Sequence, residues 1–153
     1  MKIKLMLSAI ALVAALCSGN AFADIEGNIA LILDNPSDKY NMFEVTNTTN
    51  VDNVWHHTSP EAIMMKAHLP GTGIVRPKIV EATVIAKHNK KCWCKLTALL
   101  VADCPAMKIC TPNWSQLKVV NGVAGPFCKA GGFDGKKNAN FNADSDNCKS
   151  NSK

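Results

Sequence analysis

A chain of 153 residues, 47% hydrophobic but only 6% aromatic, is long enough for one domain with a real core and has little aromatic mass to fill a large interior. Without its first 23 residues it carries fifteen Lys/Arg against twelve Asp/Glu, a net charge of +3. No basic run is interleaved with aromatics, so nucleic acid is not an expected partner.

The N-terminus opens with the short basic stretch Met1-Lys2-Ile3-Lys4. Residues 5–17 follow as an apolar run broken only by Ser8, and Asn20-Ala21-Phe22-Ala23 puts small residues where a signal peptidase reads. The pattern predicts a secretory signal over 1–23, cleaved before Asp24. A retained anchor would need about 20 apolar residues, and lipid attachment at Cys17 would need a small residue where Leu16 stands. The signal is bacterial in style, which points to the periplasm or the outside medium. No transmembrane segment is expected after cleavage.

Six cysteines then remain: Cys92, Cys94, Cys104, Cys110, Cys128 and Cys148, all in the second half. An even number in an exported chain reads as disulfides. Charge divides along the same line. Residues 24–75 hold two lysines against seven carboxylates, and residues 76–118 hold eight Lys/Arg against two. Two faces of one domain attracting each other would account for this. So would a basic face meeting an anionic envelope surface or an acidic partner.

In chain order, residues 29–33 form an apolar run ending in the turn signal Asp34-Asn35-Pro36, and predict a buried strand. Residues 42–45 suit a second short strand, and the Asn/Thr-rich 46–53 a loop. Ser59-Pro60-Glu61 has the chemistry of a helix start, with Ser as cap, Pro in the first turn and Glu at the positive end. It predicts a helix to Leu69 with a stop at Pro70-Gly71. Residues 79–87 are β-branched and predict a strand, with a hairpin loop over 88–91. Residues 92–101 form the next strand, with Cys92, Cys94, Leu96, Ala98 and Leu100 on its buried face and Trp93, Lys95 and Thr97 on the other. Residues 117–120 are a further strand ended by Asn121-Gly122. Residues 130–153, rich in Gly, Asn and Lys, have little to bury and read as a loop or tail tethered by Cys148. The expected fold is mainly β with one short helix (α+β): one β-rich domain over 24–129, a small antiparallel sheet, and a disulfide-stapled C-terminal half.

Cys92 and Cys94 in an extended strand would share a face about 7 Å apart, too far to bond each other. Cys104 and Cys110, just past that strand, are natural partners for them. A Cys128–Cys148 bond would close a loop of about 20 residues, worth about 3 kcal/mol, and is the favoured pair. No C-x-x-C occurs, which argues against thiol–disulfide catalysis and haem attachment. A soft metal could use Cys92 and Cys94 with His56, His57, Met64 or Met65, but the tetrahedral zinc spacing is missing. Adjacent His56 and His57 point apart in an extended chain, and Met64-Met65 is more often core than a copper site.

Asn138, Asn140, Asn142, Asp144 and Asp146 alternate like calcium-loop ligands, without that loop's central Gly and closing Glu. A solvated loop is the simpler reading. Gly71-Thr72-Gly73 is too short to cradle phosphate, and no P-loop or G-x-S-x-G motif occurs. No metal and no cofactor are therefore expected.

The sequence thus favours a non-catalytic exported module that binds, inhibits or assists envelope assembly. Its partner would be another envelope or extracellular protein or an anionic surface. Lys90, Lys91, Trp93, Lys95 and Trp114 are the expected contact residues, since Trp and basic side chains often anchor interfaces. The competing reading puts both tryptophans in the core. A small exported hydrolase using His56, His57, His68 or His88 as general base, and a soft-metal-binding periplasmic protein, are the alternatives.

Overall fold

Alternation of buried and solvent-facing side chains runs through most of the chain in the computed structural model, which describes residues 24–71, 75–106 and 109–148. The expected signal segment 1–23 lies outside these residues. Among the described residues nine strands form: β1 (Ile25–Leu33), β2 (Phe43–Thr49), β3 (Asn53–Thr58), β4 (Glu61–Leu69), β5 (Lys78–Ala86), β6 (Trp93–Asp103), β7 (Thr111–Asn121), β8 (Cys128–Asp134) and β9 (Asn138–Ala143). Two single 3-10 turns, Tyr40–Met42 and Ser145–Asn147, complete the described structure.

The strands make two sheets, ordered β3-β4-β1-β9-β8 and β2-β5-β6-β7. Every pairing is antiparallel except β1 with β9. The inner faces form one buried cluster. Ile29 and Leu31 of β1, Ile63 and Met65 of β4, and Phe141 of β9 meet Val80 and Val84 of β5 and Leu96 and Leu100 of β6. Burial of these side chains, at roughly 1.5–3 kcal/mol each, holds the two sheets face to face. Phe43 of β2 stacks on Phe127, ring centroids 5.7 Å apart, at one end of the sandwich.

The predicted strands over 29–33 and 117–120 lie within β1 and β7, and those over 79–87 and 92–101 match β5 and β6 except for Lys87, just past β5, and Cys92, just before β6. On β6, Cys94, Leu96, Ala98 and Leu100 are fully buried, with Cys92 buried just before the strand. The expected helix from Ser59 to Leu69 is instead β4, entered from β3 by a turn with a cis Ser59–Pro60 peptide. Ile63/Ala67 and Met65/Leu69, spaced i,i+4 as on one face of a helix, also share a face of a strand. The deciding spacing is i+2. Ile63, Met65, Ala67 and Leu69 all face inward because β4 hydrogen-bonds to β1 on one side and β3 on the other. Tertiary pairing overrides the helix preference of Ala, Met and Leu. The expected loop over 46–53 contains the second half of β2 and the start of β3.

The expected loose tail is also corrected. Its first part is β8, and β9 fills the sheet between β8 and β1. Asn138, Asn140 and Asn142 point outward, while Ala139, Phe141 and Ala143 are buried. The alternation first read against calcium loops is the period of a strand whose outer residues happen to be asparagine.

Three disulfides staple this half: Cys92–Cys148, Cys94–Cys128 and Cys104–Cys110. Cys92 and Cys94 do not bond each other, but the expected Cys128–Cys148 pair does not form. Cys94, on the inner face of β6, meets Cys128 at the start of β8 and so joins the two sheets. Cys104 and Cys110 close their own short loop rather than reaching back to Cys92 or Cys94. Spacing along the chain favoured the loop-closing pair. The sandwich brings β6 over the β8–β9 hairpin, and that proximity selects the partners. Among the described residues no helix is long and apolar enough to cross a membrane.

Candidate functional site

The five residues expected to form a contact surface divide between surface and core. Lys90 and Lys91 lie in the β5–β6 turn, and Trp93 and Lys95 follow on the outer face of β6. Trp114 faces inward from β7 and is only 3% exposed, so it is core and not contact surface. The basic hairpin is also partly neutralised. Lys90 Nζ lies 3.0 Å from Glu44 on β2, and Lys95 Nζ lies 2.8 Å from Glu81 on β5. Exposed pairs of this kind add little stability, but they cancel charge that an anionic partner would read. Trp93 is half-buried and packs over Gly122, where a Cβ would approach the indole nitrogen to 2.5 Å.

The histidines are dispersed. His56 Nε2 lies 2.9 Å from Glu61, His57 Nδ1 3.0 Å from the Pro60 carbonyl, and His68 Nδ1 2.6 Å from Asp52. His88 is exposed in the β5–β6 turn. Among the described residues, none of the four hydrogen-bonds a hydroxyl or thiol that could serve as nucleophile, and no cluster of three His, Cys, Asp or Glu is placed to hold a metal ion. All six cysteines of the suggested soft-metal and disulfide sets are bonded to one another.

Glu61 opens β4 and ties it to the Tyr40–Met42 turn. Its Oε1 accepts the Tyr40 backbone N–H at 2.9 Å and faces His56, whose ring stacks on Tyr40 with centroids 4.9 Å apart. The Tyr40 amide first, and His56 next, hold the Glu61 carboxyl below its ordinary value of 4.5. A carboxyl depressed in the folded state adds stability that is present above its unfolded pKa and lost as pH falls through its folded pKa. Below the ordinary glutamate range, the melting temperature should therefore fall more steeply for the wild type than for Glu61→Gln. Parallel melting profiles for the two proteins would show that Glu61 does not contribute.

A concave site lies on the outer face of the five-stranded sheet. Strand register builds it in rungs. One rung reads Trp55, Met64, Ala30, Asn140, Gly132 across β3, β4, β1, β9 and β8. The rung beside it reads His57, Ala62, Ile32, Asn142, Lys129, and the rung on the other side Asn53, Lys66, Asn28, Asn138, Asp134. Alanines at the centre and glycine at one edge leave a groove of about 230 Å³, floored by Ala30 and Ala62 and walled by Met64, His57, Asn138 and Asn140. Trp55 projects from the same face as His57, two residues along β3.

Small side chains are required where β8 passes this wall. A Cβ at Gly131 would come 2.3 Å from the Asn142 side-chain oxygen. Gly132 takes a positive φ of 96° in the bulge between Ala130 and Gly132, a conformation that favours glycine.

Asparagine amides dominate the polar half of the groove. Asn28 Nδ2 donates to Asn138 Oδ1 at 3.2 Å, and Asn142 Nδ2 donates to Asp34 Oδ1 at 2.7 Å. The Asn140 amide makes no side-chain hydrogen bond among the described residues and opens to solvent. The charged groups of this face are largely paired, Lys66 with Glu26 at 2.9 Å and Lys129 with Asp34 at 3.5 Å. Sequence reading missed the site because its residues come from five strands, two of them in segments expected to be helix and tail. Alternation of Asn with apolar residues over 138–143 was the one signal that could have found it. No family model, no curated protein and no solved structure matches this chain.

Proposed function

We propose that the chain is a non-catalytic exported binding module whose recognition surface is the outer face of the five-stranded sheet. The N-terminal signal pattern and the three disulfides support export to an oxidising compartment. The observation that carries the choice of surface is the groove itself. There a methionine and the Asn138 and Asn140 amides converge over an alanine floor, with half-buried Trp55 beside Met64 at the rim, the mix of apolar wall and a few placed polar groups that small-ligand sites use. Binding, inhibition or envelope assembly are all compatible with such a module.

The hairpin around Trp93 is the second reading. Val120 and Val123 are 44% and 91% exposed beside it, giving an apolar complement to the lysines. Co-sedimentation of the purified protein with the insoluble envelope fraction of its own cell separates the two. Trp55→Ala and Asn140→Asp are expected to lose binding, while Lys90→Ala/Lys91→Ala/Lys95→Ala retains it. The reverse pattern would transfer the contact surface to the hairpin.

A further inference from the structure

We infer that the groove on the five-stranded sheet takes a neutral saccharide, an inference that rests on the groove being the recognition surface. Three observations define the ligand. The first is charge. With Lys66 held by Glu26 and Lys129 by Asp34, the groove keeps His57 and Asp134 as its ionisable lining groups. It thus offers no cationic cluster to a phosphate, a nucleic acid or an acidic headgroup, which such ligands require.

The second is the kind of polar group present. A primary amide holds two donors and one acceptor in a plane, which matches a pair of neighbouring hydroxyls, each both donor and acceptor. The Asn140 amide is uncommitted to other side chains, and Asn138 uses its oxygen for Asn28, leaving its Nδ2 donors to face a ligand. Both stand on alternate positions of β9, so the amides sit side by side on one flat face.

The third is the apolar counterpart. A sugar ring presents C–H groups on its faces, and these pack on aromatic and thioether surfaces while the hydroxyls around its rim are hydrogen-bonded. Met64 borders the groove, and Trp55 is its direct cross-strand partner. Ala30 and Ala62 keep the floor low enough for a ring to lie on it. Flat extended backbone, amides at one end and an aromatic at the other are the parts of a shallow glycan-binding face.

The test is NMR titration of ¹⁵N-labelled protein with the neutral oligosaccharides chitotetraose, cellotetraose and maltotetraose, each to about 10 mM, above a millimolar Kd. At least one should shift the Trp55 indole N–H and the Asn140 side-chain amide while leaving Trp93 unmoved. Trp55→Ala should weaken that binding about tenfold or more, the size of a binding hot spot. Asn140→Asp keeps the side chain's size and removes its donors, and should weaken binding comparably with an unchanged backbone spectrum. Absence of shifts with all three sugars would overturn the saccharide assignment. Loss of envelope binding by the same variants would then show that the groove stands and its ligand is of another class. Saccharide shifts confined to other faces would overturn the inference as well.

Discussion

Replacing Cys94 and Cys128 together with alanine is expected to lower the unfolding free energy by about 3–4 kcal/mol. The bond joins residues separated by 34 positions and couples the inner face of β6 to the first residue of β8. It is one of two staples between the four-stranded sheet and the β8–β9 hairpin. The other is Cys92–Cys148, with a separation of 56, and the two are nested. While either stands, the loop closed by the other is shortened, so each single removal understates its bond and removing both pairs costs more than the sum of the separate losses. Cys104–Cys110 spans only six positions, and the chain-entropy relation assigns it about 2 kcal/mol. Thermal unfolding should therefore place the Cys94→Ala/Cys128→Ala protein roughly 10–20 °C below wild type, with the Cys104→Ala/Cys110→Ala protein between them. Equal melting temperatures for wild type and the Cys94/Cys128 variant would mean that packing alone fixes the second sheet. The variant that lacks the bond also tests the groove indirectly, because β9, which carries Asn138 and Asn140, is the second strand of the hairpin this bond anchors.

What the sequence made legible is set by where a single strand carries its own signal. β5 and β6 are β-branched or strictly alternating, and the inner face of β6 is readable from Cys94, Leu96, Ala98 and Leu100 without reference to any neighbour. β4 and β9 are not self-evident. Ala62, Met64, Met65 and Ala67 favour helix locally, and Asn138, Asn140 and Asn142 disfavour strand. Both become strands because β1, apolar from Ile29 to Leu33, hydrogen-bonds to β4 on one edge and β9 on the other. Pairing with a segment 30 to 44 residues away for β4, and 110 residues away for β9, leaves no local trace. The disulfide pattern follows the same rule: the absence of a Cys92–Cys94 bond is local geometry and was readable, whereas the partners of Cys128 and Cys148 depend on how two sheets face each other. The groove inherits both difficulties, being a cross-strand surface whose rungs draw one residue from each of five strands.

Trp114→Ala is expected to destabilise the fold by about 3–5 kcal/mol, the cost of emptying a buried aromatic site. The indole of Trp114 crosses from β7 to the other sheet, where its Nε1–H donates to the Lys137 carbonyl at 2.9 Å. It lies flat on β1 at Gly27, where a Cβ would meet Cζ2 and Nε1 at 2.9 Å. Glycine is therefore required at residue 27 for lack of space, and the hydrogen bond prevents the ring from sliding aside. Gly27→Ala should consequently cost about 1–3 kcal/mol in the wild type through overpacking. In the Trp114→Ala background the obstruction is gone, and the same substitution should become neutral or slightly favourable, since alanine is better than glycine within a strand. Urea unfolding of the wild type, the two single variants and the double variant measures this coupling, expected at about 1–3 kcal/mol for groups in direct contact. Additive free energies would show that residue 27 does not sense the indole. Trp114→Phe keeps much of the apolar volume but removes one of the two donors to the Lys137 carbonyl, which still accepts the Asn28 N–H at 2.7 Å, so it should fall between wild type and Trp114→Ala, about 0.5–1.5 kcal/mol below the former. Strong coupling with intact envelope binding in Trp114→Phe would establish that Trp114 acts within the core, leaving recognition to the outer faces.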